Sequence, residues 1–209
     1  MKTIWFLDDS EFERQAFVEV FRDLYHIVAV ERVDQFPEAR PDLILVDLYF
    51  RRRQPREPPP KGVVRPDTSS IEKTLGRIQR MERNSQMAEA ADLRQHAERL
   101  LEKFLKELEE EPDEGLLTFD NLHRRHASVP AAFLSRKCQR KDIPLCMARG
   151  ALTVVLKPPL DVEDGDLTPR ATQGWKAVKQ EASKLFDVLM KGAAEDQEPF
   201  LVLPYMLRP

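Results

Sequence analysis

Residues 3–9 read TIWFLDD, a short apolar run that ends abruptly in two aspartates. Such a run, with no alternation of polar residues, is typical of a strand that is buried on both faces. The pattern recurs at 42–46 (DLILV), which ends at Asp47, and in a looser form at 26–31 (HIVAVE). These three segments are therefore predicted to be strands of a sheet that is covered on both sides.

Two further strands are predicted at 129–134 (VPAAFL), before Ser135, and at 152–156 (LTVVL), before Lys157. Segments with helical spacing of apolar residues separate the strands. The first helix is predicted to begin with a capping box formed by Ser10 and Glu13, and the others lie at 33–39, 144–149 and 168–189. Alternating strands and helices predict an α/β fold, a doubly wound sheet of five parallel strands.

The composition changes after Asp47. Residues 51–66 contain five prolines and six basic residues against one acid, which favours an extended, basic, proline-rich linker over 51–68. Residues 69–111 have the composition of a helical arm, and their apolar residues recur with the spacing of a coiled-coil seam. We expect one long helix or a helical hairpin there, and a homodimer formed through 69–110.

Charge and composition exclude several classes of function. The formal net charge of the 209 residues is −3, which argues against a general nucleic-acid binder. Cys138 and Cys146 lack the spacing of a zinc site and are interpreted as reduced thiols. No apolar run approaches the ~20 residues of a membrane span, so we expect a cytoplasmic protein without membrane contact. The apolar tail at 194–209 is expected to dock on another surface.

Polar residues follow four of the predicted strands. They are Asp8 and Asp9, Asp47, Ser135 and Lys157. In an open parallel sheet, ligands bind outside the carboxyl ends of the strands, so these side chains are expected to share one pocket. Clustered carboxylates repel one another, and Mg²⁺ is the hard cation that relieves this repulsion. Beside the metal, Asp47 could attack phosphorus while the lysine and hydroxyl stabilise the phosphoryl oxygens.

Four segments together resemble the receiver domain of two-component response regulators, in its chemotaxis-type single-domain form. They are FLDDS (6–10), PDLILVDL (41–48), PAAFLS (130–135) and GALTVVLKPP (150–159). The resemblance covers residues 1–50 and 129–193. It implies a flavodoxin-like sheet of order 2-1-3-4-5, counting these five strands alone.

The resemblance also implies a function for the strand-end residues. Asp47 would accept a phosphoryl group from a histidine kinase or phosphotransfer protein, and output would pass to an effector protein through protein contacts. Mg²⁺ would be held by Asp8, Asp9, Asp47 and the main-chain carbonyl of Tyr49. Ser135 and Lys157 would bind the phosphoryl group.

The chain departs from the receiver pattern at several positions. The loop after Asp47 reads FRRR (50–53) where receivers carry Met-Pro and then Gly, and Arg136 stands where a small residue is usual. The bulk of this arginine could obstruct a phosphodonor, or its charge could hold one. Val154 replaces an aromatic residue, and Pro144 shortens the fourth helix. Ser135 lies 88 residues after Asp47, so the insertion either replaces or elongates the third helix.

Two alternatives remain open from the sequence. The first is a pseudo-receiver, a dimeric adaptor that acts without phosphorylation. The second is a phosphohydrolase of the haloacid-dehalogenase type. That class needs a second acid two residues after its nucleophile, whereas Asp8 is followed by Asp9 and Ser10.

Overall fold

The computed structural model describes most of the two segments that the sequence analysis assigns to an α/β domain. The described residues are 1–51, 110–136, 142–158 and 167–191, together with Leu93, Gln95, His96, Arg99, Leu100 and Cys138. The predicted linker, almost all of the predicted arm, and the tail at 194–209 lie outside the described residues, so their structure stays a prediction.

Five strands form one parallel sheet in the order β2-β1-β3-β6-β7. They are β1 (Thr3–Leu7), β2 (His26–Val30), β3 (Leu43–Val46), β6 (Ala131–Ser135) and β7 (Val154–Leu156). Two strands of two residues each, β4 (Phe50–Arg51) and β5 (Glu110–Glu111), occur between β3 and β6 along the chain. The five predicted strands and their order are confirmed.

The structure gives the bounds of five α-helices and of one short 3-10 helix at Val33–Gln35. The five α-helices are α1 (Glu11–Phe21), α2 (Pro112–Arg125), α3 (Ile143–Ala148), α4 (Leu167–Ala177) and α5 (Lys179–Met190). The described residues between 93 and 100 are also helical. Helix α2 comes between β3 and β6 along the chain, directly after the residues of the predicted arm. Among the described residues, no helix is long and apolar enough to cross a membrane.

The apolar run of β1 is explained by aromatic layers on both faces of the sheet. Successive side chains of a strand point to opposite faces. Trp5 stacks on Phe36 with ring centroids 4.3 Å apart, whereas Phe6 contacts Phe17 of α1 at 4.6 Å. Phe17 in turn meets Trp175 of α4 at 5.4 Å. Because both faces are covered, neither tolerates the polar residues of a half-exposed strand.

Two helix predictions and one strand prediction were wrong in extent. The helix at 33–39 is only a 3-10 turn, because the residue before Pro37 is pushed out of the helical region and Phe36 is extended (φ −68°, ψ 142°). The single helix at 168–189 is two helices, interrupted at Val178 (φ −117°, ψ 13°). The predicted strand at 152–156 is shortened to Val154–Leu156.

Helix α2 was missed. The sequence analysis ends the predicted arm at 111 and predicts no helix or strand over 112–128. A proline is accepted in the first turn of a helix, where no main-chain N–H is needed, and α2 begins at Pro112. Within α2, Gly115 allows close packing on the chain after β3, because a β-carbon there would lie 2.0 Å from the carbonyl oxygen of Leu48.

The chain divides into two compact units. The first comprises 1–50, 112–160 and 166–209, and the second comprises 51–111 and 161–165. The five-stranded sheet and all the residues of the predicted site belong to the first unit.

Candidate metal and phosphoryl site

Three carboxylates meet at the carboxyl ends of the two central strands. Asp8 follows β1 and Asp47 follows β3, and the two strands pair in register up to Leu7 and Val46. The main-chain N–H of Asp47 donates to Leu7 at 2.8 Å, which extends the ladder to the aspartate itself. Carboxylate oxygens of Asp8, Asp9 and Asp47 lie within 4.8 Å of one another, so these residues could hold a metal ion.

Lys157, which follows β7, reaches two of these acids. Its Nζ lies 2.5 Å from Oδ2 of Asp8 and 3.3 Å from Oδ1 of Asp47. Burial lowers the pKa of this ammonium, but the charges of Asp47 and Asp8 outweigh burial, so the pKa is raised and the lysine stays protonated. The pKa of Asp8 is raised to about 8, chiefly by burial. The positive charge of Lys157 lowers this pKa, and the negative charge of Asp47 raises it further. The predicted strand-end lysine is thus part of the acidic cluster.

The start of α1 is organised around Asp8. The main-chain N–H of Ser10 donates to Oδ1 of Asp8 at 2.8 Å, and Nη1 of Arg14 donates to the main-chain carbonyl of Asp8 at 2.6 Å. Ser10 is the N-cap residue, but its side chain makes no capping hydrogen bond. The predicted capping box of Ser10 and Glu13 was therefore wrong, because Glu13 is engaged elsewhere.

Ser135 is the last residue of β6, the strand that pairs with β3. The residue is buried, and within the described part of the chain its Oγ has no hydrogen-bond partner. Its main-chain carbonyl accepts the N–H of Lys157 at 3.1 Å. A buried hydroxyl without a partner costs free energy. The hydroxyl is therefore available to donate to an anionic group bound at the cluster.

Tyr49 follows Asp47 by two residues, and its side chain is buried. Its hydroxyl donates to Oδ2 of Asp142 at 2.5 Å. Burial raises the pKa of the Tyr49 phenol, and the contact with Asp142 adds to this. The predicted ligand role of its main-chain carbonyl stays a prediction.

The sequence analysis missed the partner of Arg136. Nε and Nη2 of Arg136 donate to Oε1 of Glu13 at 3.0 and 2.6 Å, and Nη1 donates to the carbonyl of Pro158. The guanidinium thus joins the residues after Ser135 and Lys157 to the first turn of α1. The positive charge of Arg136 is paired with Glu13 within the protein. This pairing argues against the interpretation that Arg136 holds a phosphodonor.

Glu13 could have been recognised from the pattern of α1. It falls on the same helix face as the buried Ala16, Phe17 and Val20, and an acid on an apolar face signals a buried partner. Burial raises its pKa, but the charge of Arg136, aided by that of Lys157, outweighs burial and holds the pKa below its ordinary value of 4.5.

The charges of the site favour a divalent cation. Four carboxylates (Asp8, Asp9, Asp47 and Glu13) face two cations (Lys157 and Arg136), so the net charge is 2 − 4 = −2 when all four acids are ionised. Burial opposes ionisation of Asp8, and a bound cation would favour it. Every side-chain atom of the cluster that could bind the metal is an oxygen, which suits Mg²⁺ or another hard cation. The residues present therefore fit the predicted metal.

Comparison with known proteins gives structural matches alone. No protein-family model matches the sequence, and no curated protein matches it. A response regulator from Thermotoga maritima superposes with a TM-score of 0.41 at 13% identity, covering 76% of this chain and 86% of its own. The Mn²⁺-bound response regulator Rcp1 superposes with a TM-score of 0.41 at 12% sequence identity, and the match covers 86% of this chain and 93% of Rcp1. A response regulator from Burkholderia pseudomallei, with a phosphorylated aspartic acid, calcium ion and citrate, has a TM-score of 0.40 at 12% sequence identity. That match covers 90% of this chain and 75% of the other chain.

The assignment of the fold rests on the topology rather than on these scores. The sheet has five parallel strands, with β1 and β3 adjacent at its centre. Along the chain, α1 lies between β1 and β2, α2 between β3 and β6, and α3 between β6 and β7. The acidic residues follow those two central strands, where the strand order reverses. The chain therefore has the flavodoxin-like fold of response-regulator receivers.

Proposed function

We propose that this chain is a receiver-type signalling protein in which Asp47 accepts a phosphoryl group. The donor would be a histidine kinase or phosphotransfer protein, and the metal would be Mg²⁺ held by Asp8, Asp9, Asp47 and the Tyr49 carbonyl. One observation carries the proposal. Three carboxylates converge at the ends of β1 and β3, and Lys157 contacts two of them.

The chemistry requires one nucleophile and several groups that stabilise charge. A carboxylate oxygen of Asp47 would form the bond to phosphorus as the bond from phosphorus to the donor nitrogen breaks, and that nitrogen keeps the electron pair. Mg²⁺, when bound, neutralises charge on the phosphoryl oxygens. Lys157 already lies 3.3 Å from Asp47, within reach of a group attached to it. The unpartnered Ser135 hydroxyl would donate to a phosphoryl oxygen.

The pseudo-receiver is the second candidate, and the contact between Lys157 and Asp8 favours it. The ammonium lies 2.5 Å from Asp8, whose pKa is raised to about 8 by burial. The protein can thus compensate part of its acidic charge without a cation. In that case the fold would act as an adaptor, and effector contacts would not depend on phosphorylation.

The two candidates differ in one reaction. Acetyl phosphate with Mg²⁺ should add one phosphoryl group to the protein, detected by intact mass, and a chelator added before the donor should prevent the addition. Asp47→Asn keeps the shape of the side chain but removes the nucleophilic carboxylate, so labelling should be abolished in a protein with unchanged circular dichroism.

Two results would overturn the proposal. Labelling that persists in Asp47→Asn would place the nucleophile elsewhere. If neither acetyl phosphate nor a panel of phosphorylated histidine proteins labels the natural chain in Mg²⁺, the pseudo-receiver is the correct candidate.

A further inference from the structure

The hydrogen bond between Tyr49 and Asp142 joins two functional parts of the fold. It connects residues 93 positions apart, and both are buried, with exposed fractions of 3% and 2%. Tyr49 belongs to the segment that follows the proposed phosphoacceptor. Asp142 immediately precedes α3, and its carbonyl accepts the N–H of Cys146 at 3.0 Å in the first turn.

The orientation of Asp142 is unusual for its position. An aspartate at a helix N-cap normally accepts a hydrogen bond from the first-turn N–H groups. Asp142 is the N-cap of α3 but makes no such side-chain bond. Its Oδ2 instead accepts the Tyr49 hydroxyl at 2.5 Å. The start of α3 is thus attached to the segment after β3 instead of being capped locally.

The segment from Asp47 to Tyr49 can transmit a displacement. Two residues span at most ~7 Å of chain, so a shift of the main chain at Asp47 moves Tyr49 as well. Leu48 lies between them, and its carbonyl packs where a β-carbon of Gly115 would be, so movement toward α2 is blocked. A displacement of this segment by a group bound at Asp47 would therefore have to be directed away from α2.

We propose that the Tyr49–Asp142 hydrogen bond couples the occupancy of Asp47 to the order of α3. This inference rests on the proposed function, since it concerns the regulation of that same site. A group at Asp47 draws the 47–49 segment toward the acidic cluster, weakens the bond to Asp142 and loosens the first turn of α3. The buried Val154 on β7 stands where receivers carry an aromatic residue, and its apolar side chain cannot form a hydrogen bond that would couple the two sites instead.

Cys146 provides the reporter within the natural chain. Its side chain is fully buried in α3, and burial, together with the charge of Asp142, raises the pKa of its thiol to about 12. At pH 8 it should react with N-ethylmaleimide only when α3 loosens. Peptide mapping by mass spectrometry separates its labelling from that of Cys138. Beryllofluoride with Mg²⁺ serves as the phosphoryl mimic, and ¹⁹F NMR shows whether it is bound.

The expected result is a rate of Cys146 labelling that rises about tenfold when beryllofluoride and Mg²⁺ bind, as for the loss of one hydrogen bond to a charged acceptor. Asp142→Ala should label about tenfold faster without the mimic, and the mimic should add nothing. Asp142→Asn retains an acceptor oxygen and should keep the response. Tyr49→Phe, which keeps the ring but lacks the hydroxyl, should behave like the alanine variant and replaces it if that variant does not fold.

The outcomes separate this inference from the proposed function. If bound fluoride is seen but the Cys146 rate is unchanged, or if Asp142→Ala and Tyr49→Phe respond like the natural protein, the coupling is refuted while the proposed function stands. If the natural protein shows no bound fluoride at all, the proposed function fails, and the coupling fails with it.

Discussion

Arg136 and Glu13 form a buried ion pair next to the acidic cluster. The side chains are 15% and 3% exposed, and Oε1 of Glu13 accepts two hydrogen bonds from the guanidinium. Removing one partner of such a pair leaves the other charge buried and uncompensated. We therefore expect Arg136→Ala to lower the free energy of unfolding by about 3–5 kcal/mol in urea titrations.

A double variant provides the control for this prediction. Replacing the pair by apolar residues of similar volume, as in Arg136→Met with Glu13→Leu, removes both charges together. The double variant should be more stable than Arg136→Ala, since replacing a whole buried pair is often neutral. A double variant as unstable as the single one would mean that the loss arises from packing and not from the buried charge.

The same pair predicts a dependence of stability on pH. The pKa of Glu13 is lower in the folded protein than its ordinary value of 4.5, so the folded state favours the ionised form. Its contribution is complete above pH 4.5 and is lost as the pH falls through the folded pKa. The difference in unfolding free energy between the natural protein and Glu13→Gln should therefore shrink below pH 4.5. A difference that grows on acidification would contradict the assignment.

At the scale of elements, the strands were predictable and the helix boundaries were not. Strands β1 and β3 are buried on both faces, so their apolar runs carry a local signal that ends at Asp8 and Asp47. Helix α2 was missed because Pro112 can either end one helix or begin the next. No proline or glycine lies within 175–180 (WKAVKQ), so the break at Val178 has no helix-breaking residue beside it.

In the candidate site, too, some residues were predictable from the sequence and some contacts were not. Asp8, Asp9, Asp47 and Lys157 were predictable because parallel topology brings the carboxyl ends of strands to one edge. The bonds from Arg136 to Glu13 and from Tyr49 to Asp142 join residues 123 and 93 positions apart. No periodicity relates such pairs, because their contact depends on the packed arrangement of loops.

Helix α2 gives a prediction of its own through Gly115. An added β-carbon would lie 2.0 Å from the Leu48 carbonyl oxygen, so Gly115→Ala must push α2 away from the chain that follows Asp47. Overpacking of this kind typically costs about 1–3 kcal/mol, although alanine favours a helix by about 1 kcal/mol over glycine. We expect a net loss of stability in urea titrations and weaker Mg²⁺ binding.

Leu117 in the same helix supplies the matched control. Its side chain is 61% exposed, so Leu117→Ala should change the stability by no more than about 0.5 kcal/mol and leave Mg²⁺ binding unchanged. If Gly115→Ala proves as stable as Leu117→Ala, the close packing of α2 on Leu48 is not a constraint in solution.

For the whole molecule, Mg²⁺ should act as a stabilising ligand. A ligand that binds only the folded state adds about 2.7 kcal/mol at a concentration 100 times its Kd. The natural protein should therefore melt at a higher temperature in excess Mg²⁺. Asp9→Ala removes one carboxylate of the cluster from a partly exposed position, so the protein should fold but lose most of this increase. An equal increase in both proteins would refute the metal assignment.

The oligomeric state is the remaining prediction at this scale, and it rests on the sequence of 69–110. Leu101, Phe104 and Leu108 recur with the 3-4 spacing of a coiled-coil seam. Burying each such side chain between two chains gains roughly 1.5–3 kcal/mol, which favours a dimer. Light scattering should give twice the monomer mass, and replacing Leu101 and Phe104 by Asp should give monomers that still bind Mg²⁺. A natural protein that stays monomeric at high concentration, and is unaffected by these changes, would instead indicate a hairpin that packs on itself.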